Sequence, residues 1–188
     1  VNINNLNDAP ALVNAIADQN VDEDSALSFT VPADAFNDED GDTLTYTATL
    51  SDGSALPSWL SFDAATQTFS GTPLNGDVGA ITIKVTASDG STSVSDTFTL
   101  TVTNTNDDPT VANAIADQSV DEDSALSFAV PSNTFDDVDV GDTLPYAATL
   151  GDGSALPSWL SFNTSTQTFS GTPVNANVGA ITVKVTAT

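Results

Sequence analysis

Apolar and polar residues alternate along most of this chain. Leu27, Phe29 and Val31 are separated by Ser28 and Thr30, and Leu44, Tyr46, Ala48 and Leu50 are separated by threonines. Ile81, Ile83, Val85 and Ala87 form a third series, Phe98, Leu100 and Val102 a fourth, and Leu60 with Phe62 a shorter one. A period of two puts successive side chains on opposite faces of a strand, so each series predicts a half-buried strand. Asp40-Gly41-Asp42, Asp52-Gly53, Ser70-Gly71-Thr72-Pro73, Asn75-Gly76 and Asp89-Gly90 lie between the series and carry turn chemistry. No segment shows a helical period. About seven short strands divided by such turns predict a Greek-key β-sandwich.

The pattern occurs twice. NAIADQ stands at Asn14–Gln19 and Asn113–Gln118, VDEDSALSF at Val21–Phe29 and Val120–Phe128, DGSALPSWLSF at Asp52–Phe62 and Asp152–Phe162, and TQTFSGTP at Thr66–Pro73 and Thr166–Pro173. Pro10 and Pro109 stand 99 apart, whereas Trp59 and Trp159 stand 100 apart, so the second copy gains one residue, within Asp136–Gly141. Insertions are tolerated in loops, which makes that segment a loop. The boundaries read as residues 1–10 for an incoming segment and linker, 11–103 for domain 1, 104–109 for a second linker and 110–188 for domain 2. Thr188 aligns with Ser88, so domain 2 has no counterpart of Asp89–Thr103 and lacks its last strand. The edge of an Ala180–Thr186 strand is then expected to be open, and able to take a strand from a like molecule. Val1-Asn2-Ile3 is comparable to Thr101-Val102-Thr103, and the chain has no Met, so it reads as a segment of a longer tandem array.

Charge changes the picture. Lys plus Arg total 2 against 26 Asp plus Glu, a formal charge of −24. That balance excludes nucleic acid and anionic membranes as default partners. A compact state this acidic also repels itself, and bound divalent cations are the simplest remedy. With no Cys and no His, neither thiolate nor imidazole can ligate a metal, and the commonest general base is missing. No apolar run reaches membrane-spanning length. An acidic, Cys-free surface rich in oxygen suits extracellular calcium and points to a secreted or cell-surface location.

The oxygen donors concentrate in the linkers. In Asn104-Thr105-Asn106-Asp107-Asp108-Pro109 nearly every residue offers side-chain oxygen, and Asn5-Leu6-Asn7-Asp8-Ala9-Pro10 is a near-twin at the same point of the other repeat. Ca²⁺ takes six to eight oxygen ligands. A lone segment of this kind reads as a polar turn; its recurrence favours a calcium half-site. The acidic loops Asp38–Asp42 and Asp136–Asp142 allow the same reading, because carboxylates two apart can converge from a curved loop. Neither forms an EF-hand, which needs a glutamate at its twelfth position and flanking helices. Trp59 and Trp159, each in LPSWLSF, read as core or half-buried packing, with a sugar-ring platform as the alternative. Catalysis would have to rest on carboxylates alone, in loops without a cleft, so no enzyme is expected.

With strands and linkers placed, both repeats resemble the dystroglycan-type cadherin-like domains found in tandem in bacterial surface and secreted proteins. The resemblance rests on Phe36 followed by Asp38-Glu39-Asp40-Gly41-Asp42-Thr43-Leu44-Thr45-Tyr46, on Leu56-Pro57-Ser58-Trp59-Leu60-Ser61-Phe62 and on Phe69-Ser70-Gly71-Thr72-Pro73. Asp77-Val78-Gly79 and Val85-Thr86-Ala87-Ser88-Asp89-Gly90 complete it. It implies an all-β chain of two immunoglobulin/cadherin-like sandwiches. In cadherins, Ca²⁺ between successive domains stiffens the rod. The resemblance therefore implies Asn104, Asn106, Asp107 and Asp108 as linker ligands, Glu23 as the glutamate of the upstream domain, and Asp137 and Asp139 as the Asp-x-Asp pair of the downstream domain. The same logic groups Asn5, Asn7 and Asp8 with Asp38, Asp40 and Asp89. Asn104 and Asn5 stand where cadherin linkers usually carry Asp, and Ala9 stands where the second linker has Asp108, which lowers ligand charge. Affinity is then expected at roughly 10⁻⁴–10⁻³ M, as for other extracellular modules. The function expected is a calcium-rigidified spacer and adhesion module whose partners are neighbouring repeats; the alternative is a calcium-dependent polysaccharide-binding module.

Overall fold

The alternation becomes ladders. In the computed structural model, which describes residues 1–2, 6–139 and 141–188, Ile83, Val85 and Ala87 are buried while the residues between them are not. The chain divides into two units, Val1–Thr105 and Asn106–Thr188.

Unit 1 contains β1 (Ala11–Leu12), β2 (Gln19–Asp22), β3 (Leu27–Thr30), β4 (Phe36–Asn37), β5 (Thr45–Leu50), β6 (Leu60–Asp63), β7 (Thr68–Gly71), β8 (Gly79–Ser88) and β9 (Ser93–Thr103). One sheet has the order β2-β9-β8-β5 and the other β3-β7-β6, with β1 and β4 as a short separate pair. All pairings are antiparallel except β2 with β9, which run parallel with Gln19 opposite Leu100 and Val21 opposite Val102. β8 and β9 are the long central strands, and their inward residues meet Val21, Leu27, Phe36, Leu60 and Phe69 in one core. Phe98 joins the two sheets: its ring lies 5.5 Å from Phe29 and 5.6 Å from Phe69, both edge-on. Burying a ring of that size stabilises by roughly 2–3 kcal/mol.

Unit 2 contains β10 (Thr110–Val111), β11 (Leu126–Ala129), β12 (Phe135–Asp136), β13 (Tyr146–Leu150), β14 (Leu160–Asn163), β15 (Thr168–Gly171) and β16 (Val183–Ala187). Its sheets are β11-β15-β14, β13-β16 and the short pair β10-β12. Val120-Asp121 repeats the sequence of Val21-Asp22 yet forms no strand, and Ala180–Thr182, whose counterparts begin β8, are not strand either. The counterparts of both stretches pair with β9 in unit 1, and among the described residues of unit 2 no strand stands in that place. The expected Ala180–Thr186 strand is accordingly shorter and later, at Val183–Ala187.

Two further expectations change. Ser70-Gly71 is not a turn but the end of β7. A Cβ on Gly71 would lie 1.9 Å from the main-chain oxygen of Trp59, and the same holds at Gly171 against Trp159. These glycines serve close backbone approach rather than chain reversal. The two-residue pairs β1–β4 and β10–β12 add strands that no periodicity can reveal. The only helical turns among the described residues are the short 3₁₀ segments Asn75–Asp77 and Asn175–Asn177.

Candidate metal centre

β4 hands the chain to the loop Asp38–Asp42. Gly41 there has φ +77°, a left-handed conformation that suits glycine and folds the loop back on itself. Asp38, Asp40 and Asp42 thereby bring one carboxylate oxygen each within 4.8 Å of the others. Asp38 is 8% exposed. Its Oδ1 accepts the main-chain N–H groups of Asp40 at 3.0 Å and Asp42 at 3.3 Å. Its Oδ2 is buried and has no hydrogen-bond partner among the described residues.

The incoming linker is tied to this loop. The N–H of Asp8 donates to Asp40 Oδ2 at 2.6 Å, and the Asn7 amide donates to Asp89 Oδ2 at 3.0 Å. Asp89 also receives the N–H groups of Ser91 at 2.6 Å and Thr92 at 2.7 Å, and the Thr92 hydroxyl at 2.8 Å. The Thr92 N–H above all, then the Asn7 amide, hold its carboxyl well below the usual range, so Asp89 is an anion. Asn7, Asp8, Asp40 and Asp89 are thus linked in hydrogen-bonded pairs, with Asp38 beside Asp40. Asn5 lies outside the described residues.

Unit 2 repeats the loop at Asp137–Asp142. Asp137, Asp139 and Asp142 bring one oxygen each within 4.8 Å of the others. Asp139 is 4% exposed, its Oδ2 accepts the N–H of Asp107 at 2.7 Å, and its buried Oδ1 has no partner among the described residues. Asp137 Oδ1 accepts the N–H of Asp139 at 3.0 Å. At the far end of unit 1, Glu23 is 1% exposed; its Oε1 accepts the N–H of Thr105 at 2.8 Å, and its buried Oε2 has no partner among the described residues. The Asn106 amide donates to the Asp107 carbonyl at 2.9 Å. Asn104 and Asp108 are exposed.

Asp42 and Asp142 join these groups; the sequence placed them in the acidic loops, but neither is among the ligands that the resemblance implies. The signal was present: both repeats read Gly-Asp-Thr-Leu after the Asp-x-Asp pair, at Gly41–Leu44 and Gly141–Leu144. Neither loop contains Lys or Arg. A buried carboxylate oxygen left without a donor costs several kcal/mol in order of magnitude. Carboxylates that converge this closely also repel one another. A hard divalent cation would relieve both penalties, and a donor set of oxygen alone fits Ca²⁺ better than zinc.

The tryptophans sit elsewhere. Trp59 and Trp159 are half-buried and pack against the cores of their own units. Each also lines a surface groove. That of unit 1, about 290 Å³, includes Pro57, Asp77, Val78 and Val102; that of unit 2, about 470 Å³, includes Val120, Asp121, Glu122, Val178 and Gly179. No helix among the described residues is long and apolar enough to cross a membrane.

A family model described as a putative Ig domain matches residues 9–103 and again 108–188. The serine-rich adhesin for platelets of Staphylococcus aureus is 35% identical over 145 residues, which is 77% of this chain and 10% of that protein. The chain therefore spans a small part of this relative. Among solved structures, human protocadherin-24 EC1-2 superimposes with a TM-score of 0.58 at 14% identity, over 96% of this chain and 94% of that one. Drosophila N-cadherin EC1-4 gives 0.58 at 13% identity, over 92% and 46%. At such identities the likeness is one of fold.

Proposed function

The chain belongs to the putative Ig domain family, and from that premise we propose that it is a calcium-binding, cadherin-like spacer and adhesion module of an extracellular or cell-surface protein. The observation that carries the reading is the set of buried carboxylate oxygens without hydrogen-bond donors among the described residues: Asp38 Oδ2, Asp139 Oδ1 and Glu23 Oε2. Two of them sit in loops where three carboxylates already converge. Asp38, Asp40, Asp42 and Asp89, with Asn7 and Asp8, would hold calcium in unit 1. Asp137, Asp139 and Asp142, with Asn106 and Asp107, would do so in unit 2, and Glu23 serves the linker.

Two hydrogen bonds beside the linker support a stiffening role. Glu23 holds Thr105 and Asp139 holds Asp107, so only Asn106 separates two anchored residues. An ion held by the carboxylates of either unit fixes that unit's end of the linker further. Kinship with a surface adhesin supports an adhesive, non-catalytic role outside the cell, and the loop motifs support the dystroglycan-type branch of the cadherin-like domains.

Thermal unfolding tests this directly. Free calcium at ten times the dissociation constant stabilises a singly occupied unit by about 1.4 kcal/mol. The melting temperature is expected to rise with millimolar calcium and fall back in EDTA, and Asp38→Asn and Asp139→Asn each to remove part of the rise. A melting temperature indifferent to calcium at fixed ionic strength refutes the reading. A polysaccharide-binding reading rests on the exposed part of Trp59 in its groove. It requires calcium-dependent retention on an insoluble polysaccharide that Trp59→Ala abolishes.

A further inference from the structure

The groove beside Trp59 joins an aromatic wall, an apolar floor and a carboxylate, none of which the calcium sites use. Its volume is about 290 Å³, and Pro57, Asp77, Val78 and Ile81 line it with Trp59. Trp59 is half-buried and packs against the core of unit 1. Its ring is fixed from behind by Gly71. A Cβ on that glycine would stand 3.1 Å from the indole Cε3, so the bare glycine lets the ring lie close over β7. A ring already held in place loses little freedom when a ligand covers it.

The carboxylate is fixed as well. Asp77 closes the 3₁₀ turn Asn75–Asp77: its Oδ2 accepts the N–H of Leu74 at 3.0 Å, and its own N–H donates to the Leu74 carbonyl at 2.7 Å. Leu74 and Val78 flank the turn and are 60% and 41% exposed, large apolar side chains left on the surface. The surroundings are acidic. The N–H of Asp24 donates to the Pro73 carbonyl at 2.8 Å, which sets Asp24 beside the start of the turn. Lys84 is the only basic side chain of unit 1, and by the strand period it points with Thr82 and Thr86 away from the face that carries Ile81 and Ile83.

We propose that this groove takes an arginine side chain of a basic partner peptide, with aliphatic residues beside the arginine. The three methylenes of the arginine stem lie on Pro57, Val78 and Ile81. The guanidinium plane stacks on the Trp59 indole and donates to the Asp77 carboxylate. A neighbouring aliphatic residue covers Leu74. Charge decides the class of partner. A chain at −24 repels an acidic ligand and draws a basic one toward the groove. The groove has room for one long side chain, and the exposed apolar pair beside it extends the contact. The proposal rests on neither bound calcium nor the polysaccharide reading.

The probe is the peptide acetyl-Gly-Leu-Arg-Leu-Gly-amide, titrated into the full chain in EDTA. Binding is read from the NMR shift of the Trp59 indole N–H, assigned with Trp59→Phe. A saturable shift is expected. The same peptide with citrulline for arginine keeps the shape without the charge, and is expected to bind about tenfold more weakly. Asp77→Asn is expected to weaken the arginine peptide about threefold. That variant keeps its turn: unit 2 has Asn177 at this place, where the Asn177 Oδ1 accepts the N–H of Val174 at 3.0 Å and the same 3₁₀ turn forms. Raising NaCl from about 0.01 to about 0.15 M is expected to weaken binding further. No saturable shift at Trp59, equal binding of the citrulline peptide, or a shift confined to Trp159 overturns the proposal. So does binding that Asp77→Asn leaves unchanged, which would reduce it to diffuse attraction by a polyanion.

Discussion

Thr134 shows what one buried atom can cost. It is 1% exposed, and its hydroxyl oxygen has no hydrogen-bond partner among the described residues. Ala35 occupies the corresponding place in unit 1 within the same kind of turn: Ala35 donates its N–H to the Pro32 carbonyl as Thr134 does to that of Pro131. Thr134→Val keeps the volume and removes the orphaned hydroxyl, so unit 2 is expected to gain about 1–2 kcal/mol in urea unfolding. A loss instead would mean that the hydroxyl is satisfied. The sequence displays the Ala-to-Thr difference but not its burial, which depends on how the turn is covered. Asp52 is a residue whose chemistry can be read from its neighbours. Its carboxylate accepts the Ser54 hydroxyl at 2.6 Å and the Ser54 N–H at 2.8 Å, and these, the hydroxyl first, lower its pKa. A depressed folded value means that the carboxylate's contribution is present above about pH 4, the unfolded range, and is lost as pH falls through the folded value. Ser54→Ala is expected to raise the Asp52 titration midpoint followed by NMR, and Ser154→Ala to do the same for Asp152, where the same contacts recur.

Among elements, the long strands announced themselves and the short ones did not. Ile81–Ala87 and Phe98–Val102 hold their period over enough residues to be read directly. β1 and β4, at two residues each, have no period to read. Gly71 misled for a physical reason: Ser-Gly-Thr-Pro carries the residues of a turn, but the glycine is needed because the Trp59 carbonyl occupies the space of a side chain. Gly71→Ala is expected to cost about 3 kcal/mol in unfolding experiments, through displacement of β6 from β7, and Gly171→Ala a similar amount. Full stability in either variant would show that the backbone yields more readily than close packing allows. The Val-Asp-Glu-Asp segment makes the complementary point. It is strand at Val21-Asp22, where it pairs with β9, and not at Val120-Asp121, so local propensity alone does not set its state.

For the whole molecule, the repeat architecture and the acidic loops were legible because both are written twice. Asp42 and Asp142 were legible only as members of those acidic loops; which carboxylates share a site depends on how each loop curves. A charge of −24 makes two effects of calcium separable. Raising NaCl from about 0.01 to about 0.15 M in EDTA shortens the Debye length from about 30 to about 8 Å, and is expected to raise the melting temperature of the whole chain by screening alone. Calcium at matched ionic strength is expected to raise it further. It should also lengthen the maximum dimension and sharpen the distance distribution in small-angle scattering; superimposable profiles would remove linker rigidity from the proposal.

The parallel pairing of β2 with β9 has a mechanical consequence. β2 stands near the start of unit 1 and β9 at its end, and the two point the same way. Tension applied through the chain at both ends of the unit pulls them past each other lengthwise, so the ladder is loaded in shear. Its hydrogen bonds, with the Asp22–Thr103 side-chain bond at the trailing edge, must then give way together rather than peel apart one at a time.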